Sequence, residues 1–370
     1  MNNYRTFLLA APLILLAGCN SGSSNNSSTT KPLLKPAANY QFTDAARDEL
    51  LEERQGILNS MMLSYDGKAY SNVKFAESLG DENTLIQLAD DNGNNIDLYL
   101  LGADEVEECI IYHEASNRVD SFQCGADKRS ISNDTTLIQT TTTHASLPIQ
   151  VEYNHEDAEY ITSIGSTILT AVDNQNQINI TTSFAFEGFF RDLICQPSCD
   201  EKTPSTLGVT TFLQLKDITE QYKGSNMTVR FDNPIRGSAD DDINMYTGLM
   251  INKNQMTTIV TPTGSVFSGG TDLFAAGNER ILERATANAA IEADKQVGVH
   301  SWAEGDKTAK EFPYTDESHR KQATYFDTVM GSKGIDFYLF TLDSAPASGE
   351  HWVTKADSEK YNFITKIIQL

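Results

Sequence analysis

The sequence predicts an α/β protein: a mostly parallel sheet with crossover helices, preceded by a β-rich region with one helix. Three observations carry this. After Met227, apolar runs alternate with helical stretches, the pattern of strands joined by crossovers. Before about residue 150 the runs are short and broken by Asn, Asp and Gly turns. Between Thr257 and Gly277 the chain reads apolar run, glycine turn, serine, then small-residue helix.

The N-terminus reads as a targeting segment. Arg5 supplies a positive flank, and Phe7 to Leu16 is apolar but too short to span a bilayer. It ends in Leu16-Ala17-Gly18-Cys19, the pattern of a bacterial lipoprotein signal (residues 1–18) cleaved before an acylated Cys19. Asn20 favours the outer membrane, with the protein facing the periplasm or the cell surface and a lipid holding it there. Residues 19–39 are rich in Ser, Asn, Thr, Lys and Pro and read as a disordered tether.

Residues 40–150 form the β-rich region. Thr43 or Asp44 caps a helix over Ala45 to Met62, whose Leu50, Leu51, Ile57, Leu58 and Met61 recur at helical spacing. Leu85–Leu88 and Ile96–Leu100 flank Asp90-Asp91-Asn92-Gly93-Asn94-Asn95. The Asn-Gly pair marks a hairpin turn. A calcium loop is the alternative, but no acidic residue closes it. Residues 151–370 form the second domain, with a soft boundary between about 150 and 175. A second hairpin is expected around Asp173 to Gln177. A Cys195–Cys199 loop follows, then the apolar stretches Thr210–Leu215 and Met227–Phe231. Asp316 to Met330 is predicted helical. No internal repeat is visible.

Net charge is −23, and removal of the Arg5-bearing leader makes it −24. That argues against nucleic acid as a partner. With Cys19 acylated, Cys109, Cys124, Cys195 and Cys199 remain. In an oxidising compartment an even count suggests two disulfides, most simply Cys109–Cys124 and Cys195–Cys199. Neither spacing is the usual C-x-x-C of a zinc site. No metal or cofactor is implied.

Ser268 sits where a helix begins, and free N–H groups there favour developing negative charge. It is a nucleophile candidate, and His300, at the end of the apolar run Val297-Gly298-Val299, is its candidate base. Each has a plainer reading: Ser268 as a helix N-cap, His300 as a core histidine. Asp240-Asp241-Asp242 reads as charge favouring a helix start. His319 is expected on a solvated helix face.

Three blocks in order resemble the Clp-protease/crotonase superfamily, specifically its proteolytic Clp subunits. The first is Val229 to Gly237-Ser238, where the family has a glycine turn that donates an oxyanion N–H. The second is Gly264 to Gly277, similar to the element that carries the family's serine. The third is Val297-Gly298-Val299-His300, similar to the strand that carries its histidine. A weaker fourth block, Glu350 to Ile364, puts the family's catalytic acid on Glu350, with Asp343 as fallback and His351 as a neighbour able to orient His300. The resemblance covers Phe212 to the C-terminus. It implies a serine hydrolase, of the peptidase kind, with Ser268, His300 and Glu350 catalytic and with Gly237 and Gly269 as oxyanion donors. A peptide or other acyl substrate follows, with homo-oligomerisation left open. Arg236 departs from the pattern, standing where the first turn glycine belongs. A serine–lysine dyad through Lys253 or Lys295 is a lesser alternative. The rivals are a non-catalytic binding lipoprotein of the same fold and crotonase-type acyl-CoA chemistry. The latter is set aside because coenzyme A is not expected outside the cytoplasm.

Overall fold

The computed structural model describes residues 33–80, 83–100, 108–154, 160–186, 189–194, 202–286 and 289–370. The leader, Cys19, most of the tether, and the expected Cys195–Cys199 bridge lie outside the described residues. Contacts divide the chain into Met1–Leu34 and Lys35–Leu370, and every described helix and strand falls in the second unit.

Thr43 caps the first helix as its sequence suggests, its hydroxyl accepting from the Ala46 amide at 3.1 Å. The helix spans Asp44–Leu58 and stops before the expected Met62. Met61, Leu63 and Tyr65 are buried alternately, a period of two, so the segment becomes the strand Met61–Tyr65, antiparallel to Pro148–Asn154. The region to Asn154 then forms two five-stranded antiparallel sheets. Side chains from both, such as Leu63, Val151, Leu88, Leu98 and Phe122, share one core. The expected hairpin joins Asn83–Ala89 to Asn95–Leu100. Asp90 Oδ1 accepts from the amides of Asn92 and Asn94 at 2.9 and 2.8 Å, so its carboxylate serves the turn. Cys109 and Cys124 are disulfide-bonded.

The second hairpin pairs Thr167–Asn174 with Gln177–Phe184 through Gln175 and Asn176, both at positive φ. From there the sequence builds a repeating ββα unit. Asn226–Phe231, Thr257–Val260 and Arg280–Arg284 are parallel neighbours in a six-stranded sheet. Pro234–Ser238, Ser265–Phe267 and Val297–Val299 are parallel neighbours in a five-stranded sheet. Each chain pass crosses both sheets, and the first two then enter the helices Asp241–Lys253 and Gly269–Ala275. The repeat has no residue-level signature because the intervals between its strands differ. The apolar stretch Thr210–Leu215 falls inside the helix Val209–Gln221, whose Val209 and Phe212 enter the N-terminal core. The two regions are further joined by Arg54, whose Nε donates to Asp240 Oδ2 at 2.6 Å.

Candidate functional site

The parallel strands of the five-stranded sheet deliver the candidate residues at their carboxyl ends. Ser268 follows Ser265–Phe267 directly, and His300 follows Val297–Val299. Phe267 pairs in register with Gly298, so the two residues leave adjacent strands side by side. Ser268 has φ 53° and ψ −124°, which a side-chain-bearing residue adopts only under constraint. Its carbonyl accepts from the amides of Thr271 and Asp272, while its hydroxyl makes no capping bond. The plain N-cap reading therefore does not describe it. The hydroxyl faces a cavity of about 280 Å³, lined also by Asp241, Asp272, His300, Trp302 and Tyr338.

Only glycine fits at the two expected oxyanion positions. A Cβ on Gly269 would lie 2.5 Å from Ser238 Cβ, and one on Gly237 would lie 3.3 Å from Ser268 Cβ. Asn244 Nδ2 holds the Gly269 carbonyl at 3.0 Å, which fixes the start of the short helix. Gly269 lines the cavity. Arg236 does not intrude: its side chain is exposed and lines a separate groove on the outer side of the strand.

His300 Nδ1 is 2.7 Å from the Ala347 carbonyl, and its ring stacks on Phe267 at 4.8 Å. The orienting acceptor is thus a backbone oxygen. Glu350 is not brought to His300. Its carboxylate accepts from Trp352 Nε1 at 2.5 Å and faces Lys295 at 3.8 Å, on the outer groove. His351 pairs instead with Asp357 at 3.0 Å, and Asp343 is an exposed partner of Lys310. Among the described residues no hydrogen bond joins Ser268 to His300. A Ser-His-Glu triad is not assembled.

His319 also departs from expectation. It is fully buried, not solvated, its ring nitrogens 2.7 Å from Tyr338 Oη and 2.9 Å from the Ala309 carbonyl. Burial pushes its pKa down. Trp302 Nε1 donates to the same Tyr338 hydroxyl at 2.9 Å, so this network braces the cavity wall.

Two carboxyls missed by the sequence reading face the same cavity. Asp272 lies one helical turn after Ser268. Burial, with the neighbouring Asp241 carboxylate adding to it, holds its pKa well above the carboxylate range. Asp241 is exposed at the helix start, where it lines the cavity. Partial desolvation, then the charges of Asp240 and Asp242, raise its carboxyl to about 6. The available signal was spacing, since Asp272 stands four residues from Ser268 on one helix face.

No family model and no curated protein matches the chain. Solved structures do. Enoyl-CoA hydratase from Bacillus anthracis has 11% identity and a TM-score of 0.32, over 54% of this chain and 70% of that one. Enoyl-CoA hydratase from Bacillus halodurans has 10% identity and a TM-score of 0.33, over 55% and 73%. Methylmalonyl CoA decarboxylase has 9% identity and a TM-score of 0.32, over 54% and 68%. The chain has an α/β fold in which two mixed sheets with parallel central strands are joined by crossover helices, beside two antiparallel sheets. The expectation of a Clp-like serine peptidase working through Ser268, His300 and Glu350 is corrected, because Glu350 is engaged by Trp352 and Lys295 and not by His300. The three matched structures are two hydratases and a decarboxylase, none of them a Clp protease subunit.

Proposed function

We propose that this chain is an enzyme that acts on an acyl ester or thioester by general acid–base catalysis. The observation that carries the reading is the convergence of Asp272, His300 and Ser268 on one cavity beside the helix start at Gly269. In this reading the acyl carbonyl oxygen accepts from the Gly237 and Gly269 amides, where the helix terminus stabilises an enolate-like charge. Asp272, whose environment favours the protonated form, supplies a proton. His300, with Nδ1 committed to Ala347, turns its other nitrogen to a proton next to the carbonyl. The Ser268 hydroxyl holds a water or a substrate oxygen. The site residues and the activity class together form the proposal.

The test follows exchange of α-protons for solvent deuterium in a butanoyl thioester of N-acetylcysteamine, by NMR. Asp272→Asn and His300→Ala should each slow exchange by about 10²-fold or more. Variants that match the wild type, or a wild type that catalyses no exchange, would reject the reading. A fluorophosphonate probe should leave Ser268 unlabelled.

We also propose a location in the cell envelope. The leader ending at Cys19 and the Cys109–Cys124 disulfide support it. Recovery of the protein in the cytosolic fraction with free thiols at Cys109 and Cys124 would contradict it.

A further inference from the structure

An apolar groove of about 400 Å³ adjoins the cavity on the outer face of Ser265–Phe267. Ile235, Phe267 and Trp352 form its floor and Arg236 stands at its rim. The two spaces share Ala347, whose carbonyl accepts from His300. Phe267 stacks on His300 on one side and meets Trp352 at 5.7 Å on the other, so aromatic rings form the partition. A Cβ on Gly298 would come 2.4 Å from Phe267, which leaves that ring no room to retreat.

The charge at the rim is unusual for this chain. Net charge is −23, and Arg54, Arg230 and Arg284 each hold a carboxylate at 2.7 Å or less. Arg236 has neither a hydrogen bond nor an ion pair with any described residue. Its charge reaches Glu77, but that carboxylate is buried and engaged by Ser166 and Thr206. Glu350, also in the groove, is taken by Trp352 and Lys295. An exposed guanidinium at one end of an apolar trough is complementary to a carboxylate on an apolar chain.

We propose that this groove binds the non-reacting arm of the substrate, an apolar acyl chain that ends in a carboxylate, with the chain over Phe267 and Trp352 and the carboxylate on Arg236. The proposal rests on the acyl reading of the adjoining cavity. It makes Arg236 a specificity residue, not a flaw in the glycine turn.

Calorimetric titration of the purified chain with octanoate, 1-octanol and octylammonium tests it. Octanoate should bind more tightly than the other two. Arg236→Gln should weaken octanoate by about fivefold, the range of an exposed ion pair, and leave octanol unchanged. Arg236→Lys should retain part of the preference. Trp352→Ala should weaken all ligands that bind. Asp272→Asn removes a group that the acid–base reading needs, yet should leave octanoate binding intact. Loss of exchange activity and loss of groove binding can therefore be told apart. No octanoate binding, equal affinity for octanoate and octanol, or unchanged octanoate affinity in Arg236→Gln overturns the proposal. Arg236 is exposed, so thermal melts of its variants should match the wild type.

Discussion

At the scale of single residues, the backbone of Ser268 is the sharpest constraint. Its φ of 53° with ψ −124° costs a non-glycine residue of order 1–3 kcal/mol. Ser268→Gly should therefore raise the melting temperature and Ser268→Ala should not. A glycine variant no more stable than the alanine variant would show that the position is unstrained. Gly248 is constrained in the opposite sense. A Cβ there would fall 1.9 Å from the hydroxyl of buried Tyr325, which donates to the Asp272 carbonyl. Gly248→Ala should cost about 1–3 kcal/mol in urea denaturation, through overpacking against Tyr325, whose hydroxyl holds the Asp272 carbonyl. Sequence reasoning singled out Ser268, His300, Gly237 and Gly269 because glycine turns and strand ends leave local signals, and the structure places Ser268, Gly269 and His300 on one cavity. It misplaced Glu350 because nothing local shows that its carboxylate goes to Trp352 and Lys295 and not to His300. It missed Asp272 although the four-residue spacing from Ser268 was visible, because the burial that raises its carboxyl comes from elements distant in sequence. His319 looked solvated from its charged neighbours, but Trp302 and Tyr338, distant in sequence, close over it.

At the scale of elements, local chemistry was legible and long-range partnership was not. Caps at Thr43, Asp240 and Asp316 start their helices, and Asn-rich turns close both hairpins. Thr210–Leu215 carries β-branched and apolar residues, and only its packing against the N-terminal core makes it helical. The alternation of strands between two sheets is likewise invisible in periodicity, since a short strand buried on both faces looks the same in either sheet. Two stability predictions belong here. Replacing Cys109 and Cys124 together by serine opens a loop with a separation of 15 residues and should cost roughly 3 kcal/mol. A wild type whose melting temperature is insensitive to reductant would refute it, provided mass spectrometry shows the thiols are reduced. Arg54→Ala strips the partner from Asp240, a buried carboxylate that also caps the helix Asp241–Lys253. The expected cost is about 1.5–3 kcal/mol, the range for hydrogen bonds to charged groups. Because that helix lines the cavity through Asp241, substrate-site exchange should fall with it.

At the scale of the whole molecule, buried carboxyls make acid a stabiliser. Asp97 is fully buried in the second antiparallel sheet, with Gln87 Nε2 donating to one oxygen at 2.8 Å and the other oxygen unpartnered. Burial, with Glu114 adding to it, raises its pKa to about 7. Burial also raises Glu77, and Asp272 stands well above its usual range. The sign follows from proton counting. Between the ordinary carboxylate value and the raised one, the folded chain binds more protons than the unfolded chain, so stability falls as pH rises. For Asp97 the loss runs from the ordinary carboxylate value of 3.8 up to about 7, and above that the penalty is constant. The melting temperature should therefore be higher near pH 5 than near pH 8. A net charge of −23 acts in the same direction, because protonation relieves self-repulsion. Salt separates the two contributions. Screening weakens repulsion among surface charges but reaches a fully buried carboxyl poorly. In about 0.5 M salt the remaining pH slope should come largely from the buried groups, and Asp97→Asn should flatten it further by removing one titrating site. An Asp97→Asn variant with an undiminished slope in high salt would show that Asp97 does not carry this share. A slope abolished by salt alone would assign the effect to surface charge.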